Sequence, residues 1–75
     1  PKAQVAGARS LKFTDPRMEG EDVRQLQLAL QKHGLTLVAD GIFGKGTEEE
    51  VRKFQKQKGL EVDGVAGSAT FSALT

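Results

Sequence analysis

The sequence predicts an all-α fold, a compact three-helix bundle with an internal helix–loop repeat. Two observations carry that expectation. Apolar residues recur at helical spacing in separate stretches, each closed by a glycine or opened by a polar start signal. Between those stretches an Asp-Gly-x-x-Gly-x-x-Thr pattern occurs twice, at Asp40 to Thr47 and at Asp63 to Thr70.

The elements follow in chain order. Residues 1–10 are small and polar and read as a linker remnant, leaving 11–75 as the domain. The chain starts at Pro1 rather than a methionine, which reads as an excised fragment or processed product. Leu11 and Phe13 alternate with polar neighbours in a short extended lead-in that stops at Asp15-Pro16, and Met18 anchors the approach to the first helix. That helix is expected over 21–33. Glu19 to Asp22 place acids at its positive end, and Val23, Leu26 and Leu30 share one face. Lys32 and His33 favour the negative end, and Gly34 stops it.

The second helix is expected to open on a capping box formed by Thr47 and Glu50. Glu48 with Arg52 and Glu49 with Lys53 are i to i+4 pairs in the favourable order. Val51 and Phe54 supply its buried stripe and Gly59 ends it. A short third helix is expected to start near Ser68 or Thr70 and to bury Phe71 and Leu74.

The repeat extends beyond the loops. Val23-Arg24-x-Leu26-Gln27 matches Val51-Arg52-x-Phe54-Gln55, and Gly34-Leu35 matches Gly59-Leu60. The offset falls from 28 to 25 to 23 residues along the chain, so the second unit is a shortened copy. Each motif residue has a physical task. Asp closes a turn on nearby amides, the first Gly takes positive φ without a steric penalty, and Thr supplies a capping oxygen.

Composition narrows the function classes. At 75 residues the chain makes one domain with a thin stability margin. Eleven basic against ten acidic residues leave a net charge of +1, too little to steer nucleic acid or an anionic membrane to the surface. There is no cysteine and one histidine, so neither a disulfide nor a His- or Cys-based metal site can be built from this chain alone, and no metal or cofactor is expected. No run of about 20 apolar residues is present.

No catalytic residue is expected either. Asp40 and Asp63 are the carboxylates to weigh as a hydrolytic pair, but each precedes Gly in a turn where Asp has a structural task. None of Ser10, Ser68 and Ser72 stands in a recognisable pattern with a base. Gly44-Lys45-Gly46-Thr47 lacks the Ser or Thr that follows the lysine of a phosphate loop. Arg52, Lys53, Lys56 and Lys58 share their helix with three glutamates and read as a solvated face.

The motif order Gly20 to Gln27, Asp40 to Thr47, Val51 to Gln55 and Asp63 to Thr70 resembles the three-helix peptidoglycan-binding module found on bacterial and phage wall hydrolases. The resemblance covers about residues 11–75. Two departures stand out: Ala66 where a larger aliphatic residue is common, which lightens the packing there, and Gly46, which loosens the approach to the second helix. The resemblance implies a non-catalytic, monomeric domain that binds stem peptide and glycan at the bacterial cell wall, in the periplasm or outside the cell. It also implies a covalently attached hydrolase, an endolysin or muramidase, and a phage lysis protein is one such parent. A protein-interaction module is the rival reading, because a related fold resembles the pro-segment of matrix metalloproteinases. The cysteine switch of that pro-segment has no counterpart in a chain without cysteine.

The ligand site is expected beside the first Asp-Gly loop, with Asp40, Phe43, Gly44 and Thr47 shaping a shallow groove and Gln27 and Asp63 bordering it. Of the four phenylalanines, Phe13, Phe54 and Phe71 are expected in the core, and for Phe43, in a loop, core packing outweighs a place in the groove. Without Trp or Tyr, the chain has no conventional sugar platform.

Overall fold

The computed structural model describes residues 9–74. Of residues 1–10, expected from the sequence to be a linker remnant, 1–8 lie outside the described residues and Arg9 and Ser10 lie within them. Three helices follow, α1 (Glu21–Lys32), α2 (Lys45–Gln57) and α3 (Ser68–Leu74). Two isolated antiparallel bridges, Leu11 with Ala66 and Glu19 with Ile42, tie the lead-in to the two Asp-Gly loops.

The buried faces follow helical periodicity. α1 buries Val23, Leu26, Gln27 and Leu30, and α2 buries Thr47, Val51, Phe54 and Gln55. α3 adds Thr70 and Phe71. Leu11, Leu35, Phe43 and Ala66 complete one contiguous core, with Phe13, Met18, Leu60 and Leu74 packed against it. Ala66 is buried and exchanges two backbone hydrogen bonds with Leu11, at 3.1 and 2.8 Å, so the lead-in lies directly against this small residue.

Both long helices stop in the same way. Leu35 N–H reaches back to the Leu30 carbonyl at 3.1 Å, and Leu60 N–H reaches back to that of Gln55 at 2.9 Å. In each case the intervening glycine, Gly34 at φ 91° or Gly59 at φ 72°, takes the left-handed conformation that this reversal needs. The following leucine then turns onto the core. His33, at the end of α1, sets its ring edge-on to Phe54 with centroids 5.2 Å apart, and its Nε2 lies 3.2 Å from the Leu74 carbonyl oxygen. It therefore joins all three helices.

The capping box expected at Thr47 does not form. α2 begins two residues earlier, at Lys45, with extended Gly44 in front and no side-chain cap. Glu48 N–H bonds the Gly44 carbonyl at 3.1 Å. Thr47 lies inside the first turn, where its hydroxyl is engaged by Gln27, and the Glu50 carboxylate pairs with Lys53 at 3.2 Å. Lys53 thus takes Glu50 rather than the expected Glu49, whereas Glu48 and Arg52 approach to 3.8 Å as expected.

Candidate functional site

The first Asp-Gly loop is organised from below by one side chain. Gln27 is wholly buried on α1. Its Oε1 accepts from Gly41 N–H at 2.8 Å. Its Nε2 faces three acceptors, the Ile42 carbonyl at 3.0 Å, Thr47 Oγ1 at 3.0 Å and Asp40 Oδ1 at 3.2 Å. Asp40 Oδ1 also accepts from Ile42 N–H at 3.0 Å, closing the turn on itself.

The second loop repeats this arrangement. Gln55 Oε1 accepts from Asp63 and Gly64 N–H at 3.1 and 3.0 Å. Its Nε2 donates toward the Val65 carbonyl, Asp63 Oδ1 and Thr70 Oγ1, all within 3.1 Å. Among the described residues no buried side-chain polar atom is left without a partner. Both glutamines therefore act as fully satisfied pins, which is how a polar residue persists on an apolar helix face.

The two aspartates are held ionised by these turns. Asp40 lies below the usual carboxylate range because of Ile42 N–H first and the Gln27 amide second. Asp63 is lowered in the same way by Val65 N–H and then Gln55. Each carboxylate serves its own loop, and a general acid would need the opposite shift.

Above the first pin lies an open groove of about 420 Å³. Asp40, Gly44 and Thr47 line it, as do Arg17, Val38, Ile42 and Glu50. Val38 and Ile42 are unusual here, being large aliphatic side chains that are 73% and 38% exposed. Phe43 and Gln27 are wholly buried and support the groove from the core side. Asp63 lies in the other loop, beside a smaller hollow of about 210 Å³ lined by Val65, Gly67 and Thr70, the repeat counterparts of Ile42, Gly44 and Thr47.

The size difference follows from chain length. Asp40 follows Gln27 by thirteen positions, but Asp63 follows Gln55 by only eight. Three of the five missing residues fall between Gln and the Gly stop, close to one helical turn, and two fall in the loop. The longer first connection supplies Thr36, Leu37 and Val38 as a groove wall. Arg17, Val38, Ile42 and Glu50 were not singled out from the sequence. Their common feature is spatial, since the bridge of Glu19 to Ile42 brings the lead-in beside the first loop.

A three-helix domain with two glutamine-pinned Asp-Gly loops, one of them walled into a groove, is a small recognition module. The chain belongs to the family described as "Putative peptidoglycan binding domain", whose profile it matches over residues 19–74. A zinc D-Ala-D-Ala carboxypeptidase of Streptomyces albus G is 45% identical over 58 residues, spanning 73% of this chain and 23% of that protein. The crystal structure of the SleB N-terminal domain superposes with a TM-score of 0.80 at 40% identity, covering 88% of both chains. A Burkholderia AP3 phage endolysin gives 0.82 at 38% identity, over 88% of this chain and 24% of that one. The chain thus spans about a fifth of the length of the curated relatives it matches, such as the carboxypeptidase (23%) and the spore cortex-lytic enzyme of Bacillus cereus (20%).

Proposed function

We propose that this domain binds peptidoglycan through the groove beside Asp40, engaging stem peptide and adjoining sugar together, and holds an attached hydrolase at the bacterial cell wall. Family membership supports wall recognition, and the relatives' names, a carboxypeptidase, a cortex-lytic enzyme and an endolysin, support the attached activity. The observation that carries the choice of groove is the pairing of exposed Val38 and Ile42 with charged Arg17 and Glu50 over a hydrogen-bonded floor. An apolar lining with a few fixed polar groups suits a short peptide bearing small side chains.

Asp40, Gly44 and Thr47 shape the groove surface in this reading. Gln27 and Phe43 hold its floor, and Asp63 borders the smaller hollow. An open site of this kind binds weakly, and retention at the wall comes from a polymer that offers many copies of the ligand. The chain acts as a monomer, in the periplasm or outside the cell.

The test is co-sedimentation of the 75-residue chain with insoluble peptidoglycan, with chitin and cellulose as controls. Enrichment on peptidoglycan alone supports the reading, and equal recovery on all three polymers removes it. Asp40→Ala that keeps both fold and wall binding would remove the groove assignment.

A further inference from the structure

Arg17 differs from the other three arginines of the chain. Arg9 contacts Asp22 at 2.6 Å, Arg24 contacts Glu21 at 3.5 Å and Arg52 contacts Glu48 at 3.8 Å. Arg17 has no carboxylate partner among the described residues. Its guanidinium carbon sits 5.2 Å from the centroid of the Phe13 ring instead.

Lys45 Nζ occupies the same ring at 5.4 Å. Two cations therefore share one half-buried aromatic ring, and among the described residues no acid pairs with either of them. The ring's quadrupole favours each cation. Gly44 lies alongside, and a Cβ built on it would stand 3.5 Å from Arg17 Nε, so the arginine side chain crosses this glycine at the groove edge.

The two acids of the groove are already engaged. Asp40 accepts from Ile42 N–H and Gln27, and Glu50 pairs with Lys53. Glu50 is thus neutralised by Lys53, while the amide-held Asp40 carboxylate and Arg17 both face the groove, Arg17 with guanidinium donors that no carboxylate takes among the described residues, and the exposed side chains beside them are the aliphatic Val38 and Ile42.

From this juxtaposition the geometry points to Arg17 as the specificity-determining residue of the groove, binding the free C-terminal carboxylate of a short peptide. Lys45 reinforces the charge, and Val38 and Ile42 receive the adjoining small apolar side chain. A guanidinium matches a carboxylate through two parallel hydrogen bonds, which a lone ammonium does not offer. The inference rests on the peptidoglycan reading and names the part of the ligand that the groove holds.

The experiment is an NMR titration of the 75-residue chain with N-acetyl-D-Ala-D-Ala, which has a single carboxylate, and in parallel with its C-terminal amide and with inorganic phosphate. The free acid is expected to shift the backbone amides of Gly44 and Lys45 and the Arg17 side-chain N–H. The amide and the Arg17→Gln variant should each weaken binding roughly tenfold. Arg17→Lys should recover only part of it. Retained dispersion in the spectrum of Arg17→Gln, an exposed position, shows that the fold is intact. Equal binding of acid and amide, or unchanged binding by Arg17→Gln, overturns the inference. Phosphate shifting these amides while the dipeptide does not makes this an unselective anion site and also overturns it. Peptidoglycan co-sedimentation that is kept by wild type and by Arg17→Gln alike sinks the inference but leaves the wall-binding reading standing. Loss of co-sedimentation by wild type itself removes the reading beneath it.

Discussion

Gln27 Nε2 and Thr47 Oγ1 meet at 3.0 Å, a hydrogen bond between buried side chains that joins α1 to the first turn of α2. The same amide holds Gly41 and Ile42, so one side chain sets both the position of the loop and the start of the second helix. Gln55 does the same for α2, its loop and α3.

Replacing either glutamine by leucine keeps most of the volume but strands several polar groups in the core. Gln27→Leu leaves Gly41 N–H, the Ile42 carbonyl and the Thr47 hydroxyl without this partner, and should cost about 2–4 kcal/mol. Gln55→Leu should cost a similar amount. Urea denaturation followed by circular dichroism measures both. A loss below about 0.5 kcal/mol would mean that water replaces the pin without penalty.

Thr47 separates a capping role from a cross-helix role. Thr47→Val retains shape and removes only the hydroxyl, and should destabilise the fold by about 1–2 kcal/mol. The start of α2 should stay at Lys45, because Thr47 does not cap it. Backbone chemical shifts report the helix boundary. A start displaced toward Val51 would restore the capping explanation.

Glycines 34 and 46 should respond in opposite directions to alanine. Gly34 stands at φ 91°, so Gly34→Ala should cost about 1–2 kcal/mol. Gly46 is exposed within α2 with nothing within 4 Å of a built Cβ, so Gly46→Ala should gain about 0.5–1 kcal/mol. The looseness expected of Gly46 from the sequence is thus a helix-propensity effect. Thermal melts of the two variants check the signs.

Acid should destabilise the domain through its turn aspartates. Asp22 is lowered chiefly by its hydrogen bond from Arg9, and Asp40 and Asp63 by the amides of Ile42 and Val65. A folded-state pKa below the unfolded one contributes stability that is fully present above the unfolded value, about 3.9, and fades as pH falls through the folded one. The urea midpoint should therefore be flat from about pH 5 to 7 with respect to these groups and fall below about pH 4. Asp40→Asn retains an oxygen acceptor for Ile42 N–H and should flatten part of that decline.

Much of the fold was legible because helix periodicity, glycine stops and the repeated loop all speak to local structure. Gly34 and Gly59 end their helices within a residue or two of the expected positions. The start of α2 was misread because Thr47 and Glu50 satisfy a local capping pattern, while the competing partner of Thr47 lies twenty residues back on another helix. The candidate groove was half legible. Asp40, Gly44 and Thr47 belong to the motif, but Arg17 and Val38 join it only through chain pairing that no local pattern encodes. Phe43, a loop residue for which the sequence favours core packing over a groove role, is buried in the core, and its N–H bonds the Met18 carbonyl at 2.9 Å.

The longer connection after Gly34 has a further meaning. None of Thr36, Leu37 and Val38 takes part in the glutamine pin, yet all three face the groove. Part of the contact wall is thus encoded outside the pinned joint, while Asp40, Ile42 and Thr47 belong to both. Within the connection between Gly34 and Asp40, Leu35 is buried in the core and Leu37 packs against it, so exposed Thr36 and Val38 are the positions where the wall can change while the frame beneath keeps its shape.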